Sequence, residues 1–400
     1  MLFLMVRPFR ERTFKLISMS DFLAGQQNCA VRKIDPGMEM KIRGPRFIGY
    51  CPPNNAEFVC LKAPEIELVE IGGATVVGGT NFILAKNAVI HPDLFIPSRD
   101  LSPAELYGSA TINPAIGQIK LYLKRAPKKV HRAISLLGQC TGNYAHWVTE
   151  TLPKLIIADG CPEYDGLPLL VDDWIHPNFY DSIKFLGNQP RQTIGVGRFK
   201  PCVLSEVIDV SPPAYIPPEY RAYLATGEVV KISHDVFPFS RRALHMLRDA
   251  SQKAASSGAK SSVGRRLYLR RARESCGNPR MITNIEMVER LIMRFGFKVI
   301  DPGKMSFAEQ ISVFRNAETV VSAVGAALAN MIFMPPGSRI IAMAPYYENA
   351  NYYYFSNMAG VLDHELFYVL GPQKEIGDHP LHKDYDVDMD ALFDALDGAS

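Results

Sequence analysis

The run from residue 266 to residue 344 limits the possible folds more than any other part of the chain. Apolar segments of strand length alternate there with helical patterns that open on capping signals. Arg266-Leu267-Tyr268-Leu269-Arg270 reads as a strand. Thr283-x-x-Glu286 is a capping-box pattern ahead of an apolar stripe of Ile285, Val288, Leu291 and Ile292. Gly296 supplies a left-handed stop, residues 297–300 a buried strand, and Ser306-x-x-Glu309 opens the next helix, which carries Ile311 and Phe314. Residues 319–324 are again a strand, followed by Gly325-Ala326-Ala327 and a short helix to Phe333. Pro335-Pro336-Gly337-Ser338 then turns the chain into the apolar segment 339–344. Strands and helices alternating at this spacing predict an α/β fold with a parallel sheet and crossover helices.

The remainder is patterned less sharply. Residues 1–45 are basic and read as an arm with one short helix at most. Strand-like text follows from 65 to 91, broken by glycine pairs. A strand at 133–137 leads through Gly138 into a helix near 144–158, in which Pro153 predicts a kink or a restart. Residues 166–171 and 203–210 are further short strands. A mostly polar helix spans 228–255, interrupted at Pro238 and ended by Ser256-Ser257-Gly258. At 400 residues the chain exceeds one ordinary core. The expected division is an arm (1–45), an N-terminal domain (46–235), a C-terminal domain (236–362) and a tail (363–400). The tail's acidic helix, with Leu392, Phe393 and Leu396 on one side, is expected to pack back on the N-terminal domain.

Composition excludes several classes. Apolar residues make up 47% and charged residues 21%, the balance of a globular enzyme. A net charge of +3 lacks the field of a nucleic-acid binder, so any anion site must come from a local cluster. The seven cysteines are scattered and form no Cys-x-x-Cys pair, which fits a reducing compartment and predicts neither zinc nor a disulfide framework. No run of ~18 apolar residues is present. A cytoplasmic protein is expected, with the basic arm able to touch the inner face of a membrane.

Three constellations carry chemistry. The Gly325-Ala326-Ala327 turn, with Ala329 and Asn330 behind it, follows a strand and opens a helix; small residues there let a diphosphate approach backbone N–H groups. Six arginines crowd 265–280, and of these Arg270 and Arg271 lie at a strand's carboxyl end, where guanidinium forks bind phosphate. In Gly142-Asn143-Tyr144-Ala145-His146-Trp147-Val148-Thr149-Glu150, a helix places His146 and Glu150 on one face, a pair suited to taking a proton from a sugar hydroxyl.

The string Asn143-Tyr144-Ala145-His146-Trp147 with Glu150, Leu152-Pro153 and Leu155 resembles the N-terminal motif of glycosyltransferase family 61. So does the later series Leu269-Arg270-Arg271, Arg280, Asn284, Glu286, Gly296-Phe297, Phe307, Gln310, Gly325-Ala326-Ala327-Leu328, Asn330 and Phe333-Met334-Pro335-Pro336-Gly337-Ser338. The resemblance spans roughly residues 60–372. It implies a GT-B fold, two Rossmann-like domains facing across a cleft, and inverting transfer from a nucleotide sugar, a UDP-sugar by expectation. No metal or cofactor beyond the donor is implied. Glu150 is the first choice for the base and His146 the second; Arg270, Arg271, Gly325, Ala326, Ala327 and Asn330 would hold the donor. Asn143, Tyr144 and Trp147 would face a glycan or glycolipid acceptor, in the setting of capsule or other surface polysaccharide synthesis. Val324 and Ala342 depart from the histidine and glutamate usual in the family. They keep a second reading open, a degenerate sugar- or nucleotide-binding module.

Other signals are weaker. Adjacent residues Asp172 and Asp173 point to opposite faces of a strand and so suit no shared metal. Asp386-x-Asp388 reads as helix capping. His379-x-x-His382 lacks further ligands, and Gly195-x-Gly197 lacks the third glycine of a dinucleotide fingerprint.

Overall fold

A computed structural model describes residues 9–26, 29–53, 55–100, 110–217, 227–229, 231–255, 263–271, 280–374 and 380–398. The chain separates into two compact units, Met1–Gly37 with Pro64–Tyr215, and Met38–Ala63 with Ile216–Ser400. The division therefore falls at 215/216 rather than 235/236, and the second unit takes in both a piece of the expected arm and the tail.

The second unit is built on a six-stranded sheet that is parallel throughout. Its order is Lys298–Ile300, Arg266–Leu269, Thr319–Ala323, Arg339–Tyr346, Glu365–Pro372, Arg46–Ile48. Counting the first five in chain order gives 2-1-3-4-5, a doubly wound arrangement whose order reverses between Arg266–Leu269 and Thr319–Ala323. The crossover helices form for the reasons the pattern gave. Ser306 accepts from Glu309 N while the Glu309 carboxylate accepts from Ser306 N, a reciprocal cap on the helix Phe307–Phe314. The helix Ile285–Arg294 ends at Gly296, whose φ of +77° suits only a residue without Cβ.

Thr283 and Glu286 do not form the expected box. The Thr283 hydroxyl turns instead to Asp386, and both ends of the Asn284 amide bond Val387. A tertiary partner has outcompeted the local cap, and Glu286 is left to pair with Arg290.

The tail belongs to this unit, not to the first. Ala391, Leu392, Ala395 and Leu396 of the helix Met389–Asp397 are buried among Val288, Ile292, Ile341 and Val369. Phe393 lies off this face, 48% exposed, with its ring edge against Phe295. Asp388 caps the helix by accepting from Asp390 N and Ala391 N, as its position suggested.

The first unit holds a twelve-stranded mixed sheet. Only one side of it is Rossmann-like: Pro201–Val210, Lys128–Ser135, Leu169–Asp172 and Thr193–Val196 run parallel, with the helices Leu152–Asp159 and Pro177–Leu186 in the connections. The other side is largely antiparallel and reaches back to the N-terminal strand Phe9–Ser18. Residues 9–18 are thus a sheet strand rather than a loose arm. Arg10 and Arg12 stay exposed while Leu16 enters a core with Val89, Ile119 and Leu121. The one short helix expected there is Met19–Ala24. Among the described residues, no helix is long and apolar enough to cross a membrane.

Candidate functional site

In the first unit the chain leaves the strand Lys128–Ser135, turns through 138–143, and enters a continuous helical stretch. Tyr144–His146 is α-helical, Trp147–Thr151 widens to a π turn, and Leu152–Asp159 resumes the α form. The widening follows from Pro153, which has no N–H to give. Leu152 N reaches the carbonyl of Trp147 five residues back, and the new α segment restarts with proline in its first turn. His146 and Glu150 do share a face, with Nδ1 and Oε1 3.0 Å apart and side chains 13% and 22% exposed. A carboxylate offers lone pairs only, so the hydrogen of this bond sits on Nδ1. That leaves Nε2 with its lone pair, a proton acceptor whose ring is held by the carboxylate behind it.

The residues expected beside this pair divide. Tyr144 is half-buried, its ring 6.2 Å from that of Phe179. Asn143 is exposed, but its Oδ1 accepts from Ala145 N, so it caps the helix. Trp147 is fully buried, stacked 4.9 Å from Phe179 with Nε1 donating to Ser182. It fixes the helix in the core and offers nothing to an acceptor. His146 and Glu150, by contrast, keep part of their side chains exposed.

Asp172, set aside as a metal ligand, organises the turn before the helix. It is completely buried and accepts from Gly79 N, Gly138 N and the Thr141 hydroxyl, at 2.8, 3.3 and 2.5 Å. Burial outweighs these donors and pushes its carboxyl up to about 7.

In the second unit the candidate residues gather at the carboxyl end of the sheet where strand order reverses. Arg271 follows the strand Arg266–Leu269, and its Nη1 donates to the Val324 carbonyl at 3.3 Å. Arg280 Nη2 donates to the same oxygen at 2.9 Å. Burial first, then these two cations, hold the His382 imidazole below its ordinary pKa, so a third basic group stands nearby. His379 lies outside the described residues, as does Arg273. The expected Arg270 is placed elsewhere: its fork is taken bidentately by Glu289 at 2.8 and 2.7 Å. Arg270 is thus engaged on Glu289 while Arg271 turns to the Val324 carbonyl.

Arg280, named in the arginine run and in the family resemblance but not among the expected donor-binding residues, stands at this rim beside Arg271. The tail positions it: Asp384 accepts from Met281 N at 2.7 Å, and Tyr385 N donates to the Met281 carbonyl at 3.0 Å. No local pattern announces that clasp; it joins residues about a hundred positions apart.

Gly325, Ala326 and Ala327 are half-buried at this rim, and a Cβ on Gly325 would stand 3.6 Å from Arg271 Nη1. The helix after them is 3₁₀, Ala326–Phe333, and its first bond runs from Leu328 N to the Gly325 carbonyl. The amides of Ala326 and Ala327 precede that bond and have no role inside the helix. Asn330 is fully buried and donates to the Ala327 carbonyl, so it braces the turn from within rather than meeting a ligand.

A parallel sheet with crossover helices and a basic rim at its switch point places the chain among doubly wound α/β proteins. Residues 144–341 match the family model described as Glycosyltransferase 61, and the chain belongs to glycosyltransferase family 61. The matched range contains His146, Glu150, Arg271, Arg280 and the Gly325 turn. Membership supports a transferase. No curated protein matches the chain.

Proposed function

We propose that the protein transfers a sugar from a nucleotide-sugar donor to an acceptor hydroxyl with inversion at the anomeric carbon. The observation that carries this reading is the convergence of Arg271 and Arg280 on one carbonyl at the switch point, beside the amides that open the 3₁₀ helix. Fixed guanidinium groups and free N–H donors stabilise a leaving diphosphate as its charge develops. On the acceptor side, His146 Nε2 takes the hydroxyl proton while that oxygen attacks the anomeric carbon and the diphosphate departs from the opposite face. Glu150 holds the ring and steadies the imidazolium that forms. This reverses the order of preference drawn from sequence, because the carboxylate is engaged on Nδ1. The charge the diphosphate brings is met by side chains and amides, so the step is written without a metal.

His146 belongs to one unit and Arg271 to the other, and a GT-B fold is part of the same reading by family analogy. A surface-polysaccharide setting, with a glycan or glycolipid acceptor, rests on family analogy alone. The test is a screen of UDP-, GDP-, CMP- and dTDP-sugars for donor hydrolysis and transfer, with nucleoside diphosphate binding followed by calorimetry. The reading expects binding and turnover with at least one donor; absence of both sinks it.

A second reading, a sugar- or nucleotide-binding module, is motivated by Val324 and Ala342 where the family resemblance leads one to expect histidine and glutamate. Ala342 is fully buried in the strand Arg339–Tyr346, between Ser322 and Tyr368 on the flanking strands. Binding without hydrolysis or transfer of any donor would favour the module.

A further inference from the structure

We propose that the helices Ile285–Arg294 and Met389–Asp397 form a self-complementary surface through which two copies of the chain pair. The pairing does not depend on the transferase reading.

Both helices bury one side in the same core cluster, so their outer sides make a single two-helix surface on the second unit. Three strips run along it. The middle strip is apolar. Met287, Leu291 and Phe295 recur four apart along the first helix and into its C-cap, and so share one side of it. Leu291 and Phe295 are only partly buried, and Met287 is 56% exposed. The ring of Phe393 joins this strip from the second helix through its edge contact with Phe295. Arg290 and Arg294, again four apart, make a basic strip on one side. Asp390, Asp394 and Asp397 make an acidic strip on the other, at the i, i+4, i+7 spacing of one helix face. All five of these charged residues are exposed. Arg290 also meets Glu286 at 3.3 Å, but both are largely in water, where such a contact is worth little.

Aromatic, methionine and arginine side chains are the types enriched in protein interfaces, and the half-exposed Phe393 is a ready anchor. The order of the strips names the partner. A two-fold axis running along the apolar strip lays the basic strip of each copy on the acidic strip of the other, with the apolar strips face to face between them. An acidic protein or an anionic membrane would instead be repelled by the aspartates. Helices of 10 and 9 residues laid side by side cover roughly 15 by 20 Å. Two such surfaces bury on the order of 1,000 Å², near the lower limit for a specific interface, so the dimer is weak and reversible.

The experiment is analytical ultracentrifugation of the full chain over a concentration series. The dimer should be half-formed at roughly 1–100 μM, the range such an area supports, and should weaken in high salt as the exposed charges are screened. Phe393→Asp should weaken association at least ~10-fold. Arg290→Glu with Arg294→Glu gives a chain with two acidic strips, and Asp394→Arg with Asp397→Arg a chain with two basic ones. Each double variant alone should associate at least ~10-fold more weakly than wild type, while an equal mixture should recover association to within ~3-fold. Damage to the fold would not be repaired by mixing; unlike strips meeting across a two-fold axis would be. A wild type that stays monomeric throughout the series overturns the proposal. So does a Phe393→Asp chain that pairs as well as wild type, or a mixture that associates no better than its components.

Discussion

At the scale of single residues, the chemistry depends on which atom of each side chain is already engaged. Glu150 engages His146 Nδ1 with one oxygen, and in the proposed mechanism this leaves the imidazole as the base. Glu150→Gln keeps an oxygen for that bond and removes the charge behind the ring. Turnover with the best donor should fall at least ~100-fold, within the usual range for proton-transfer machinery, while the melting temperature moves little. His146→Ala should fall at least as far, and unaltered turnover in either variant removes the pair from the mechanism. Arg270 and Arg271 offer a sharper contrast. Arg271→Ala should weaken nucleoside diphosphate binding ~10-fold or more, the value of a charge-assisted contact. Arg270→Ala releases Glu289 on the outside of the sheet and should change that affinity by less than ~3-fold. Calorimetry on the two single variants decides between this placement and the one read from sequence.

At the scale of elements, the helical stretch 144–159 shows how local rules and tertiary packing divide the work. Proline's missing donor was legible and did restart the helix, and the i, i+4 spacing did join His146 to Glu150. What was not legible is which face turns inward: Trp147 looked like part of the motif's working surface and proves to be its anchor. The turn that delivers this helix is fixed by Asp172, and that has a consequence for pH. The Asp172 carboxyl is raised from 3.8 to about 7. Below about pH 4 both folded and unfolded chains carry the proton. As pH rises towards 7 the unfolded chain releases it and the folded chain keeps it, so stability is lost across that window and the loss levels off above it. Asp172→Asn has no proton to lose. Wild-type stability measured by urea unfolding should therefore decline relative to Asp172→Asn from pH 4 to pH 7, by at most ~1.4 kcal/mol per unit. A difference independent of pH would show that the three donors, not burial, set the state of this carboxyl.

At the scale of the whole molecule, the tail is the element whose allegiance matters most. It closes the core of the second unit with Leu392 and Leu396 and holds Arg280 through Asp384 and Tyr385. Leu392→Ala should cost about 2–5 kcal/mol, as for other buried leucines. Hydrogen exchange should show the protection lost in Thr319–Ala323 and Arg339–Tyr346 and retained in Lys128–Ser135 and Pro201–Val210. Loss in the latter pair instead would return the tail to the first unit.

The sequence alone determined four strands of the second sheet, the crossover helices between them, the cap at Ser306, the glycine stop at 296 and the membership of one family, because periodicity, caps and turn residues act within a few positions of themselves. It also placed His146 with Glu150, a pairing set by helical spacing. It did not determine the strand Phe9–Ser18, the attachment of the tail, the replacement of the Thr283 cap by Asp386, or the convergence of Arg280 with Arg271 on Val324. Each of these joins segments far apart in the chain, and each depends on which partner wins a surface that local rules leave available to several. Only the folded core makes that choice, since burial and hydrogen-bond matching are properties of the assembled sheet and not of any stretch of its residues.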